Sequence, residues 1–198
     1  MKKHIFLFIG IVLSNINLLS QDMINEHNIT RNKIQKNGMY TLGTWATGNI
    51  IIGTAGNFTT TGESKYFHQM NAGWNFINLG IAISGYISAN REDINKLSIS
   101  ESIKKQRQTS NAFLFNSALN LSYITAGFYL KERANNLTDN SLRLKGYGNS
   151  FIMQGAFLLI FDLSNFFIHQ NNRKRKLDPI FDNLTFNGNS VGLRVKIN

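Results

Sequence analysis

The sequence predicts an all-α membrane protein: a four-helix transmembrane bundle with a short C-terminal tail. Three observations carry this expectation. Charged residues make up only 16% of the 198 residues, where about 25% is usual. The charges are gathered into blocks, leaving long uncharged stretches between them. The N-terminus has the anatomy of an export signal. The formal net charge is +10 and the mean hydropathy −0.17. That average hides the segregation.

Residues 1–20 read as the signal peptide. Lys2 and Lys3 form the basic start, an apolar run follows from Ile5 to Leu13, and a more polar end closes at Ser20. The run is too short for a good spanning helix. Cleavage after Ser20 is the main expectation, with an uncleaved anchor as the alternative.

The transmembrane domain is expected over 21–176. No Asp, Glu, Lys or Arg lies between Lys36 and Glu63, between Lys65 and Arg91, or between Arg107 and Lys131. The interval from Lys145 to Arg173 is broken only by Asp162. A helix crosses a bilayer core in about 20 residues, so spans are placed near 39–56, 70–89, 111–130 and 150–169. A helical bundle outside the membrane is the alternative. It would show a charged face on each helix, and the uncharged stretches leave none.

The linkers fit this division. Ser98 and Glu101 have capping-box spacing, which predicts a short surface helix leading into the third span. Asp139 and Asn140 mark a polar break before the fourth. Arg173, Lys174, Arg175 and Lys176 close the fourth span, where they are expected to touch lipid headgroups. The polar tail over 177–198 carries Asn187-Gly188 between two apolar runs, the pattern of a β-hairpin.

Small residues repeat at four-residue spacing: Gly80, Ser84 and Ser88, then Ser122 and Ala126. Such stripes let membrane helices approach closely, so these five are the expected helix-packing positions. A weak internal repeat runs through the spans. Trp45, Asn49 and Gly56 are matched in spacing by Trp74, Asn78 and Gly85, and then by Asn116, Asn120 and Gly127. In the fourth span Asp162 takes the asparagine position and His169 the glycine position. Asp162, Asn49, Asn78 and Asn120 are therefore expected to form one polar layer near the bilayer midplane. Amides in such a layer act as interhelical glue. An intramembrane carboxylate is alternatively the centre of a proton or cation site.

Several function classes are set aside. There is no cysteine, hence no disulfide framework and no thiolate chemistry. No Walker loop, dinucleotide fingerprint, zinc-protease helix or nucleophile elbow occurs. The four histidines lack metal-ligand spacing. No cofactor, metal, nucleic acid or catalytic residue is expected, and the chain is read as non-enzymatic. The expected partners are the lipid bilayer and a second copy or another membrane subunit. The expected location is the inner membrane of a bacterium, reached by export. Orientation is contested, because most Lys and Arg fall on the side an export signal would place outside, against the positive-inside rule.

The run "MYTLGTWATGNIIIGTAGNFTTTGESKYFHQMNAGWNFINLGIA", with "FYLKER" and "RLKGYGNSFIMQGAFLLIFDL" later, resembles a family of uncharacterised small bacterial membrane proteins with a signal peptide and about four hydrophobic helices. The resemblance spans nearly all of the chain after residue 20. It implies a domain of unknown function and supplies no site residues. Two functions remain: a structural or partner subunit assembled through small-residue helix packing, or a small transporter or proton- or cation-coupled carrier using Asp162.

Overall fold

A computed structural model describes residues 2–179, 184–187 and 190–193, with side chains described over 21–179. Four long helices make the bundle: α1 (Lys2–Thr59), α2 (Gly62–Arg91), α3 (Ile99–Ala134) and α4 (Ser141–Asn172). A 3₁₀ turn over Ile94–Lys96 leads from α2 towards α3, and α4 runs on into a π-helical turn over Arg173–Leu177. Helices α1 and α2 form one close antiparallel pair, α3 and α4 the other, and α2 packs across to α4. The tail carries strands β1 (Leu184–Asn187) and β2 (Ser190–Leu193), paired antiparallel with Leu184 opposite Leu193 and Asn187 opposite Ser190.

Local chemistry sets the helix ends. Only Thr60 and Thr61 separate α1 from α2, and Gly62 turns the chain at φ 61°, where a side chain would be strained. Asn140 sits at φ 64° before α4, a conformation that asparagine tolerates better than most residues. The capping box at the start of α3 is complete. Glu101 N–H donates to Ser98 Oγ at 3.3 Å, and Ser98 N–H donates to the Glu101 carboxylate at 2.9 Å. No Gly or Pro interrupts the sequence from 99 to 126, so α3 is one helix rather than a short surface helix followed by a span. Ser98→Ala is expected to cost about 1 kcal/mol, read as a lower midpoint in urea unfolding.

Apolar packing is concentrated midway along the bundle. Met39 and Leu42 of α1, Ala82 of α2, Phe113 of α3, and Leu158 and Phe161 of α4 form the main cluster. Trp45 stacks on Phe157, with ring centroids 3.7 Å apart. Polar side chains surround this cluster. Asn71, Asn75, Asn78, Gln106, Ser117, Asn120, Gln154 and Asp162 are all buried. Large apolar residues such as Tyr40, Ile51, Phe76, Ile81, Phe115 and Ile160 are exposed on the outside.

The four-span reading is corrected here. Among the described residues, one helix, Ser141–Leu177, is long and apolar enough to cross a membrane. The uncharged stretches misled because freedom from charge is not apolarity. Helices α1, α2 and α3 carry many amides, hydroxyls and glycines, and an amide or hydroxyl costs free energy to place in hydrocarbon. The stretch over 39–56 is not a separate element either, since α1 continues without a break from Lys2 to Thr59. The expected export-signal boundary at Ser20 coincides with no change in that helix.

With the spans go the lipid bilayer and membrane subunit as partners, the multi-pass inner-membrane location, and the subunit and carrier functions that required them. The buried polar groups find many of their partners within this one chain. Asn71, Asn75, Asn78 and Gln154 bond one another, and Arg31 pairs with Glu92. The basic run after α4 is likewise tied in part to the protein. Lys176 pairs with Glu26 of α1 at 2.5 Å and donates to Thr30, and Arg173 faces Asp178 at 3.3 Å. Lys174 and Arg175 are exposed.

Candidate ligand-binding site

The polar residues of the four helices divide into three groups. The first surrounds Asp162. This residue is 5% exposed, and its Oδ2 accepts a 2.6 Å hydrogen bond from Asn120 Nδ2. Both face a cavity of about 220 Å³ whose walls include Trp74, Asn78, Asn116, Tyr123 and Phe161. Trp74 and Tyr123 meet edge to face with centroids 4.8 Å apart. The Trp74 Nε1–H is buried without an acceptor among the described residues. Asp162 is the one charged residue in the cavity lining. Burial pushes its carboxyl up to about 6, partly opposed by the Asn120 hydrogen bond.

A raised carboxyl pKa has a definite sign in stability. The unfolded chain holds Asp162 near 3.8 and the folded chain near 6. Ionisation therefore favours the unfolded state as pH rises between these values, and the penalty is complete above about 6. Asp162→Asn keeps an acceptor for Asn120 and removes the buried charge. The variant is expected to gain up to about 3 kcal/mol at pH 8 and little at pH 3.5. Thermal unfolding of both proteins at the two pH values checks this, and an equal difference at both would contradict it.

The second group is an amide chain that grows from α2. Asn71, Asn75 and Asn78 lie on one face at helical spacing and are at most 4% exposed. Asn75 Nδ2 donates to the Asn71 backbone carbonyl at 2.8 Å, and Asn78 Nδ2 donates to Asn75 Oδ1 at 3.3 Å. Asn71 Nδ2 reaches Asn49 Oδ1 of α1 at 3.0 Å, and Gln154 of α4 joins Asn71 to Trp45, whose indole N–H donates to it at 3.1 Å. One network thus ties α1, α2 and α4.

The third group lies at the charged end of the bundle. His27 and His169 are both 0% exposed. Asn172 Nδ2 lies 3.1 Å from His27 Nδ1 and donates to the His27 carbonyl, while Gln106 donates to the His169 carbonyl at 3.1 Å. Phe113 stacks on the His169 ring. Arg31 of α1 pairs with Glu92, the residue that follows α2, at 2.7 Å, and Lys105 of α3 completes the ion cluster on the same carboxylate. Burial alone would raise the Glu92 carboxyl, but hydrogen bonds from Lys105 and Arg31 hold it below the ordinary range. Desolvation, followed by the Arg31 charge, pulls both imidazoles down to about 4.

Of the four expected layer residues, Asp162 and Asn120 are in direct contact, Asn78 lines the same cavity, and Asn49 joins the amide chain through Asn71. Asn71, Asn75 and Gln154 were not singled out from sequence. The 71, 75, 78 spacing of asparagine was the signal available for the first two. Among the expected packing positions, Gly80 has open space beside it, Ser84, Ser88 and Ser122 are exposed, and Ala126 is half-buried. The close approaches are made elsewhere. At Gly127 an added Cβ would lie 2.6 Å from the Gly148 carbonyl oxygen, and at Gly85 it would strike Met39. No group of three or more metal-ligating side chains that could hold a metal occurs among the described residues.

Fold and site together define a class: an all-α, four-helix bundle with an amide-rich core and a carboxylate-bearing cavity. The chain belongs to DUF6992, a family of unknown function, which it matches over residues 41–163. The match takes in Asp162, Asn120, Asn78 and the aromatic cavity walls, and leaves His27, Arg31 and His169 outside. No curated protein and no solved structure matches the chain. The resemblance to multi-span membrane proteins is corrected accordingly. The family's function is unknown, and the fold is a bundle joined by buried hydrogen bonds and ion pairs, with one helix rather than four apolar enough to span among the described residues.

Proposed function

We propose that this protein is a non-catalytic binding protein whose ligand enters the cavity at Asp162. The observation that carries the reading is a nearly buried carboxylate facing a cavity, with one side-chain hydrogen bond from the protein among the described residues. Holding a carboxylate out of water costs several kcal/mol unless it is well paired. A single amide compensates it incompletely. Such residual cost is commonly tolerated where it serves a site. The setting is that of small-molecule sites generally, with apolar and aromatic walls and a few convergent polar groups. Beside the Asp162 carboxylate, which could itself act as a base, the polar lining is asparagine amides and the Tyr123 hydroxyl, with no serine, cysteine, histidine or lysine. That set suits recognition better than bond-making.

Ligand-observed NMR of a fragment library tests the reading, using the wild-type chain and Leu119→Trp. Leu119 lines the cavity and is 37% exposed, so a larger side chain has a route to block it without rebuilding the core. Fragments that bind wild type and are excluded by Leu119→Trp are the expected result. A library with no binder, or binders indifferent to the block, would sink the proposal.

A further inference from the structure

We infer that the ligand of the Asp162 cavity is a small organic cation, a protonated amine held by its ammonium group. This inference rests on the binding role proposed above and adds the ligand's chemistry. It follows from which hydrogen-bonding groups the cavity still offers. Asn120 spends an amide N–H on the Asp162 carboxylate, so its Oδ1 is the acceptor side. Asn78 is fixed by a chain of partners. Asn75 must donate to the Asn71 carbonyl, so Asn75 Oδ1 accepts, and Asn78 must donate to it. That leaves Asn78 Oδ1 as an acceptor too. Two amide oxygens and a carboxylate are thus acceptors among the cavity's lining residues, beside the Asn116 amide and the Tyr123 hydroxyl, which can donate or accept. An ammonium group has three donors and no acceptor.

Charge and walls point the same way. Asp162 is the only ionisable acid in the lining and no cation there neutralises it. Trp74, Tyr123 and Phe161 contribute aromatic surface, which attracts a desolvated cation over its face. A hydrated metal ion would gain little from such walls, whereas the carbon skeleton of an amine would pack against them.

The test follows tryptophan fluorescence of the full chain during titration with phenethylamine hydrochloride and n-butylamine hydrochloride. Phenethyl alcohol, n-butanol and the chlorides of sodium, potassium and calcium serve as comparisons. At pH 8 the amines are expected to bind at least tenfold more tightly than the alcohols of the same shape. Amine affinity is expected to fall at least tenfold in Asp162→Asn and to weaken in wild type as pH drops below about 6, where the carboxylate gains a proton. Circular dichroism confirms that the variant is folded, and the wild-type pH profile supplies the same information without any substitution. Alcohols binding as tightly as amines, or amine affinity indifferent to pH and to Asp162, would overturn the amine assignment while leaving a binding role intact. A response to inorganic cations alone would overturn it in favour of a metal ion. If amines, alcohols and salts all fail, and the fragment library yields no binder either, the binding role itself falls.

Discussion

Gly127→Ala is expected to destabilise the bundle by about 3 kcal/mol, near the upper end for overpacking. Helices α3 and α4 meet backbone to backbone around this residue. A methyl group at Gly127 would sit 2.6 Å from the Gly148 carbonyl oxygen, 2.7 Å from Ile152 Cγ1 and 3.0 Å from the Ile152 backbone nitrogen. The side-chain atom can move, but the backbone atoms move only with the helix. A Cβ added at Gly148 would likewise lie 2.6 Å from the Gly127 carbonyl oxygen, and one at Gly155 3.0 Å from the Asn120 carbonyl oxygen, so the seam has no slack over several turns. Asn120, whose amide bonds Asp162, lies on this seam opposite Gly155. Gly127→Ala is therefore also expected to disturb the cavity. Gly80→Ala is the matched control, because nothing lies within 4 Å of its added Cβ. Relief of glycine's helix penalty should make that change neutral or stabilising by up to about 1 kcal/mol. Urea unfolding of the two variants checks the contrast, and similar midpoints would refute the seam.

Acid is expected to loosen the charged end of the bundle, chiefly through His27 and His169. Both imidazoles are held neutral at about 4, against 6.5 in the unfolded chain. As pH falls below 6.5 the unfolded chain takes up two protons that the folded chain refuses. Stability therefore declines from pH 6.5 to about 4 and levels off below. Each histidine contributes on the order of 3 kcal/mol to that loss. Several charges face these rings. Arg31 of α1 opposes protonation of both, Lys176 opposes that of His27, and Asp178 favours it. Asp162 works against the decline, since its own penalty is relieved as pH drops through 6 towards 3.8. The double variant His27→Gln, His169→Gln should flatten the decline between pH 6.5 and 4. A pH profile of the unfolding midpoint unchanged by the two substitutions would exclude this origin.

Much of the architecture was legible in local sequence. Ser98 and Glu101 announced the start of α3, Asn140 marked the break before α4, and the tail's apolar runs about Asn187-Gly188 corresponded to paired strands. These features act over a few residues, so the sequence alone displays them. The internal repeat was visible too, although its tightest positions proved to be glycines rather than amides. Gly56 packs against His68, Gly85 against Met39 and Gly127 against Gly148, while His169 fills the fourth position as a buried ring.

The environment of the helices was misread because charge was taken as the measure of polarity. Asn71, Asn75 and Gln154 carry no charge, yet they form the polar centre of the fold. Whether an amide is costly or useful depends on which partner another helix brings to it, and that partner can lie far along the chain. Asn120 and Asp162 are 42 residues apart, and Asn172 and His27 are 145 apart.

The sequence by itself determined a helical chain, the capping box that starts α3 and a small set of polar residues placed at intervals along the helices, because helical periodicity and end chemistry are local properties. The tertiary structure decided which of those residues meet. It seated Asn120 on Asp162, left the stripe of Gly80, Ser84 and Ser88 without the packing expected of it, and gathered two histidines from α1 and α4 at one buried end. The physical reason is that a buried polar group is stabilised or penalised by its neighbours in space, and helix rotation and backbone approach set those neighbours.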